Sequence, residues 1–252
     1  MSQAVPELMR TRRDHDARRL RDLLRSEVLA GRYTDGLLPS EAALMIEYGA
    51  SRATVRSALN QLRLGGQVER IQGTGTFVVA ERYALRLVEF HGVERAISPD
   101  AMLTADVLDN RVVPMPAPVA AQLEETTGAP CLRLEYRGLS HGRVIALCTN
   151  YLRFPEAAAV MNLPFDSHWY DLMTAAGLDV AGTDLLIEAV LADDSDLAGL
   201  LEVEVNAPLL AAQQVIRDGN GRPFDFAILR LRADRIALLA RGVAQKDQSE
   251  AS

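Results

Sequence analysis

LPSEAALMIEYGASRATVRSALNQLRLGGQVERIQGTGTFVV, residues 38–79, reads as two short helices joined by a tight turn and followed by a hairpin. Ser40 suits an N-cap, with Glu41 in the first turn where the helix dipole favours a negative charge. Gly49 can take the left-handed conformation that ends a helix, so Tyr48-Gly49-Ala50 makes the turn. Ser51 then caps a second helix. Val55, Ala58, Leu59 and Leu62 recur at i, i+3, i+4 and i+7 as its buried stripe, and Gly65-Gly66 stops it. Val68–Ile71 and Thr76–Val79 are β-rich runs around Gln72-Gly73-Thr74-Gly75. Helix, turn, helix and hairpin in that order predict a winged helix-turn-helix.

With the apolar stripe inside, Arg52, Arg56, Asn60 and Arg63 face outward. Arg52 falls in the first turn, the part of a recognition helix that reaches base edges, where an arginine fork pairs with guanine O6 and N7. Ser51 and Thr54 offer short hydroxyls for phosphate oxygens. Helical period and a few arginines would equally suit a solvated basic face. The hairpin that follows decides for duplex DNA.

LPSE at 38–41, SRATVRSAL at 51–59 and ERIQGTGTFV at 69–78 resemble, in order and spacing, the N-terminal domain of GntR-family bacterial transcription regulators. The resemblance implies DNA contacts from Ser40, Ser51, Arg52, Thr54 and Arg56, and a wing tip of Gln72, Gly73 and Thr74 entering the minor groove. Many members carry arginine after LPSE. Here Ala42 stands there, so one base contact is expected to be missing.

Moving outward from this stretch, residues 17–30 form an amphipathic helix with Leu20, Leu23, Leu24 and Val28 on one face. Residues 1–16 read as a frayed polar tail. The first domain is then 17–80, and 81–95 is a linker and first strand leading to a second domain at 96–242. A polar tail, 243–252, follows. At 252 residues the chain is long enough for both domains. Its net charge of −7 is unevenly spread: residues 1–82 carry 13 Arg and 10 Asp+Glu, and the rest carries a net of −10. A basic first part on an acidic body is the asymmetry expected when only the first part meets phosphate.

The pattern beyond residue 100 is α+β with a largely antiparallel sheet. Strands are predicted at Ala101–Val113, Cys131–Arg137, Val144–Leu152, Leu185–Ala192, Leu209–Asp218, Pro223–Leu231 and Arg235–Leu239. Short helices are predicted at Val119–Thr127, Phe154–Asn162, His168–Ala176 and Ser195–Leu201. Gly219-Asn220-Gly221 between two strands is a strong hairpin signal.

CLRLEYRG at 131–138, YLRFPE at 151–156, SHWYDL at 167–172, GRPFDF at 221–226 and ADRI at 233–236 resemble the UTRA domain of HutC-type GntR regulators. That likeness implies a chorismate-lyase-like sheet, homodimerisation and a small-molecule effector pocket. Members that bind amino-sugar phosphates hold the phosphate with two arginines two residues apart in the strand matching Arg133–Leu139. Here Tyr136 and Gly138 occupy those positions, while Arg137 between them points to the other face. A sugar-binding carboxylate is matched by Cys148, and a late tyrosine by Leu231. The expected effector is therefore not an amino-sugar phosphate, and Tyr136, His168, Tyr170 and Asp225 are expected to orient it.

No catalytic constellation is present. His15, His91, His141 and His168 are scattered, and no GxSxG, HExxH or P-loop occurs. Cys131 and Cys148 lack metal-ligand spacing, so no metal or cofactor is expected and both read as reduced core thiols. No apolar run reaches about 18 residues and the N-terminus lacks a signal-peptide core, which predicts a cytoplasmic protein without a membrane partner. The expected function is a metabolite-responsive repressor that binds a palindromic operator as a homodimer. A DNA-binding dimer without effector and an enzyme of the chorismate-lyase-like fold are the alternatives; fold alone does not carry the second.

Overall fold

The computed structural model describes residues 4–33, 35–78, 83–86 and 103–239 and divides the chain into two compact units at Arg82/Tyr83. The first unit opens with helix α1 (Ala4–Leu29). Residues 4–16, expected as a frayed tail, are helical. Pro6 stands in the first turn, where its missing N–H has no helical partner to lose. Ala17, Leu20 and Leu24 are buried, whereas Leu23, placed on that face by its spacing, is 53% exposed. Helix α2 (Glu41–Glu47) is capped by Ser40, whose hydroxyl accepts from the Ala43 N–H at 3.2 Å. Helix α3 (Arg52–Leu64) is capped by Ser51, which accepts from the Thr54 N–H at 3.2 Å. Strands β1 (Val68–Ile71) and β2 (Gly75–Val78) close the hairpin in the register Val68↔Val78.

One core supports these elements: Leu20 and Leu24 of α1, Leu44 of α2, Val55, Ala58 and Leu62 of α3, and Val68 of β1. Segment 36–38 runs along β2, with Leu38 donating to the Thr76 carbonyl at 2.8 Å and Val78 donating to that of Gly36 at 2.7 Å. Gly75 sits beneath it at φ +146°; a Cβ there would lie 2.7 Å from a methyl of Leu37. Glu27 accepts from Tyr33 and Arg32, and Arg32 also reaches Glu47 at 2.7 Å, which ties the end of α1 to the end of α2.

The second unit begins with β3 (Tyr83–Arg86), which pairs in parallel with the last strand, β10 (Ile236–Leu239). The segment 81–95, read as a linker and first strand, contains this strand of the C-terminal unit. Between them lie β4 (Leu103–Pro114), α4 (Ala117–Leu123), β5 (Pro130–Ser140), β6 (Arg143–Arg153), α5 (Glu156–Val160), α6 (Trp169–Ala175), β7 (Gly182–Leu191), α7 (Ser195–Leu201), β8 (Pro208–Arg217) and β9 (Pro223–Arg232). Six strands form one antiparallel sheet in the order β4-β5-β6-β9-β8-β7. Hairpin connections put β5 beside β6 and β8 beside β9; the β6–β9 pairing joins the two halves.

Alternation along the central strands feeds two faces. On one, Leu132, Leu134 and Leu152 pack with Ala157 and Val160 of α5 and with Trp169, Leu172 and Met173 of α6. On the other, Cys131, Val215 and Phe226 meet Val119, Ala120 and Leu123 of α4, while Leu147 and Leu209 meet Ala198 and Leu201 of α7. Strands covered on both sides lose the polar–apolar rhythm, and β6 is nearly buried throughout. Both cysteines are free and buried. The tail expected at 243–252 lies outside the described residues, as do residues 87–102, which span the rest of the expected linker and the start of the expected second domain.

Candidate functional site

The first unit presents a basic face. Ser51 and Arg52 are exposed at the start of α3, and Arg56, Asn60 and Arg63 follow on the same side. A groove between α3 and the hairpin is lined by Glu41, Arg56, Asn60, Arg63, Arg70 and Thr76. Glu41 lies 3.5 Å from the Arg56 guanidinium and 4.0 Å from that of Arg70, so it holds two cations over the groove as well as meeting the helix dipole. Arg63 donates to Oδ1 of Asn60 at 3.0 Å. At the tip of the hairpin Gln72, Gly73 and Thr74 are exposed, with the Thr74 N–H closing the turn onto the Ile71 carbonyl at 3.1 Å.

Thr54 departs from its expected place. It is buried, and its hydroxyl shares a 2.9 Å hydrogen bond with Ser51. The cap turns this side chain inward, so Thr54 supports Ser51 instead of offering its own hydroxyl. Ser40 is exposed, but its oxygen is occupied by the α2 cap. Arg70 of β1 is the groove residue that sequence reading missed. Its position opposite Thr76 was visible in the hairpin register, but its nearness to Glu41 was not.

The second unit holds a cavity of about 120 Å³ between its sheet and the start of α6. The strand register builds its floor in three rows: Gly138, Ala146 and Leu231; Tyr136, Cys148 and Leu229; then Asn150, Ala227 and Gln214. His168, Trp169 and Tyr170 form the α6 side. Tyr136, Phe165 and Trp169 make an aromatic cluster, with centroids 4.7 Å apart for Tyr136–Phe165 and 5.7 Å for Phe165–Trp169. Gln214 donates to the Tyr170 hydroxyl at 2.8 Å.

Of the four residues expected to orient an effector, Tyr136, His168 and Tyr170 line this cavity and Asp225 does not. Asp225 is fully buried one row beyond Asn150, opposite Leu152 and Ile216. Its carboxylate accepts from Nδ2 of Asn150 at 2.9 Å and from the Trp169 indole N–H at 3.2 Å. It is a positioning group for two wall residues. Arg137 lies on the opposite face of β5, paired to Asp106 at 2.9 Å, and is not among the lining residues. Asn150 and Gln214 were missed because their strands read as ordinary β runs; only pairing brings them to Tyr170.

Burial dominates the electrostatics. It raises the Asp225 carboxyl to about 7, although the Asn150 and Trp169 hydrogen bonds pull the other way. It pushes the Cys148 thiol up to about 12, which makes it an inert thiol at neutral pH. It lowers the His168 imidazole below its ordinary value, opposed by Asp171. His168 accepts the Tyr170 N–H at Nδ1 as the α6 cap, 3.4 Å away, which suits the neutral ring. Among the described residues no cluster of side chains suits a metal ion, and no helix is long and apolar enough to cross a membrane.

A family model described as bacterial regulatory proteins, gntR family, matches residues 16–78, and one described as the UTRA domain matches residues 101–237. An HTH-type transcriptional regulator of Rhizobium meliloti is 28% identical over 236 residues, 88% of this chain and 92% of that protein. The mannosyl-D-glycerate transport/metabolism system repressor MngR of Escherichia coli is 35% identical over 111 residues, 43% of this chain and 46% of its own. The crystal structure of PhnF from Mycobacterium smegmatis superposes with a TM-score of 0.60 at 22% identity, covering 87% of this chain and 99% of that one. This last likeness concerns the fold.

Proposed function

Since this chain belongs to the gntR family of bacterial transcription regulators and carries a UTRA domain, we propose that it is a cytoplasmic repressor of the HutC type, binding a palindromic operator as a homodimer and responding to a small-molecule effector. The observation that carries the DNA part is the outward row Arg52, Arg56 and Arg63 on a capped helix beside an exposed hairpin tip. Arg52 reads a base in the major groove. Ser51 and the backbone N–H groups at the start of α3 hold phosphate, and Gln72, Gly73 and Thr74 follow the minor groove. Two heads must meet both half-sites at once, so a ligand that favours one arrangement of the dimer controls affinity. The cavity in the second unit is the effector site, and its uncharged wall supports an effector other than an amino-sugar phosphate.

Selection of duplexes by the full chain from a random library tests this reading. The expected product is a sequence with dyad symmetry and fixed half-site spacing. Recovery of single half-sites without a dyad would overturn the dimer, and failure to enrich any sequence would overturn DNA reading itself.

A further inference from the structure

The cavity wall has three properties that together describe its occupant. The first is space for a ring. Gly138, Ala146 and Ala227 keep the floor low beside the larger Tyr136, and the Trp169 ring on the α6 side lies 23° from the plane of Tyr136. Aromatic side chains in the wall beside a low apolar floor suit a ring, which packs against them edge-to-face or offset-stacked.

The second is the absence of formal charge. No lining residue carries one, given that His168 is held neutral by its burial. Arg137 faces the other side, and Asp225 is shielded beyond Asn150 and Trp169. An ion entering this cavity would give up its water without meeting an opposite charge.

The third is an orphaned acceptor. Asn150 is 1% exposed and lines the cavity. Its Nδ2 points at both oxygens of Asp225, at 2.9 and 3.2 Å, which fixes the amide so that Oδ1 faces away from the carboxylate. Oδ1 is buried and has no hydrogen-bond partner among the described residues. A buried acceptor left unpaired is costly, so a ligand bringing an N–H or O–H to it gains what the folded chain lacks.

We propose that this cavity binds an uncharged, largely apolar ring compound whose polar end donates a hydrogen bond to Oδ1 of Asn150. The inference rests on the reading of the cavity as the effector site and adds the chemistry of the effector. Size, charge and donor position act together: the ring fills the apolar floor, and the donor sits at the Asn150 end near the Tyr170–Gln214 pair.

Four probes of one shape test it in calorimetric titrations of the full chain: benzamide, acetophenone, benzoate and benzylammonium. Acetophenone replaces the amide NH2 of benzamide by a methyl group, so it loses the donor alone. Trp169 is the chain's single tryptophan, and its fluorescence reports whether a probe enters the cavity. Benzamide is expected to bind saturably with a Trp169 response, about tenfold or more tighter than each of the other three. Equal binding of acetophenone would overturn the donor to Asn150. Equal or tighter binding of benzoate or benzylammonium, with the Trp169 response, would overturn the uncharged ligand. Absence of a saturable Trp169 response to benzamide would overturn the proposal as a whole. Operator affinity measured in the same samples separates it from the effector reading: benzamide bound as expected with operator affinity unchanged breaks that reading and leaves the ligand chemistry standing.

Discussion

Helix α3 and the cavity treat charge in opposite ways. Helix α3 carries its arginines on exposed positions of one 13-residue run, where water remains and the partner is a polyanion. The cavity collects uncharged residues from six strands and the start of α6, and leaves Arg137 and Asp225 outside its lining. The difference teaches where a charge is useful. At an exposed face it costs little to keep solvated and draws phosphate over a distance of several ångströms. In a closed cavity it needs a partner at every moment, bound or empty. The chain accordingly segregates the two, with a basic first part and an acidic second part whose pocket is neutral.

The contrast breaks most easily at Arg52. Its side chain is exposed, so Arg52→Ala should leave the fold of the first unit intact while removing a bidentate base contact worth about 1–3 kcal/mol per protomer. Gel-shift titration at fixed salt against the selected operator should show specific binding lost, with circular dichroism unchanged. A variant that retains wild-type affinity would mean that another residue of α3 reads the base.

A second effect, confined to one pH window, comes from the buried carboxyl beneath the cavity. Burial lifts Asp225 to about 7, whereas an unfolded aspartate titrates at about 3.9. Between those values the folded chain holds more protons than the unfolded one. The contribution of Asp225 to stability is therefore present in full at low pH and lost as pH rises through that window, by up to about 1.4 kcal/mol per pH unit. Asp225→Asn should remove this slope from the urea midpoint followed by Trp169 fluorescence between pH 4 and 7. Parallel pH curves for wild type and variant would show that solvent reaches the carboxylate.

The smallest effect sharpens the comparison. Arg137→Gln removes a partly exposed ion pair with Asp106, worth at most about 1 kcal/mol. Benzamide affinity should stay within about twofold of wild type, because the side chain lies on the opposite face of β5. A larger change would place the guanidinium in reach of the cavity and return an anionic ligand to consideration.

Legibility followed the same division. Ser40 and Ser51 as caps, Gly49 in the left-handed turn, the α3 stripe and the Asp218–Arg222 hairpin could all be read from neighbours within a few residues. Leu23 and Thr54 could not. Each sits at a margin of a helical stripe, where the packing partner chooses inside or outside: Leu23 turns to solvent, and Thr54 turns in beneath Ser51. Asp225 shows a different failure. The motif placed it near a pocket, yet the side chain stops one row short of the lining and acts through Asn150 and Trp169.

By itself the sequence determined two domains, the winged helix-turn-helix, the basic face of α3 and the alternation that builds an antiparallel sheet, because helical period, caps and turn residues act over a few positions of the chain. It also separated Tyr136 and Gly138 from Arg137, since adjacent strand residues face opposite ways. Only the tertiary structure decided that β6 joins β9, that β3 pairs with β10, and that Asn150 and Gln214 come to stand beside Tyr170. Those pairings join residues up to about 150 positions apart in the chain. Their register is set by burial of both sheet faces together, a property of the assembled layers that no single strand carries.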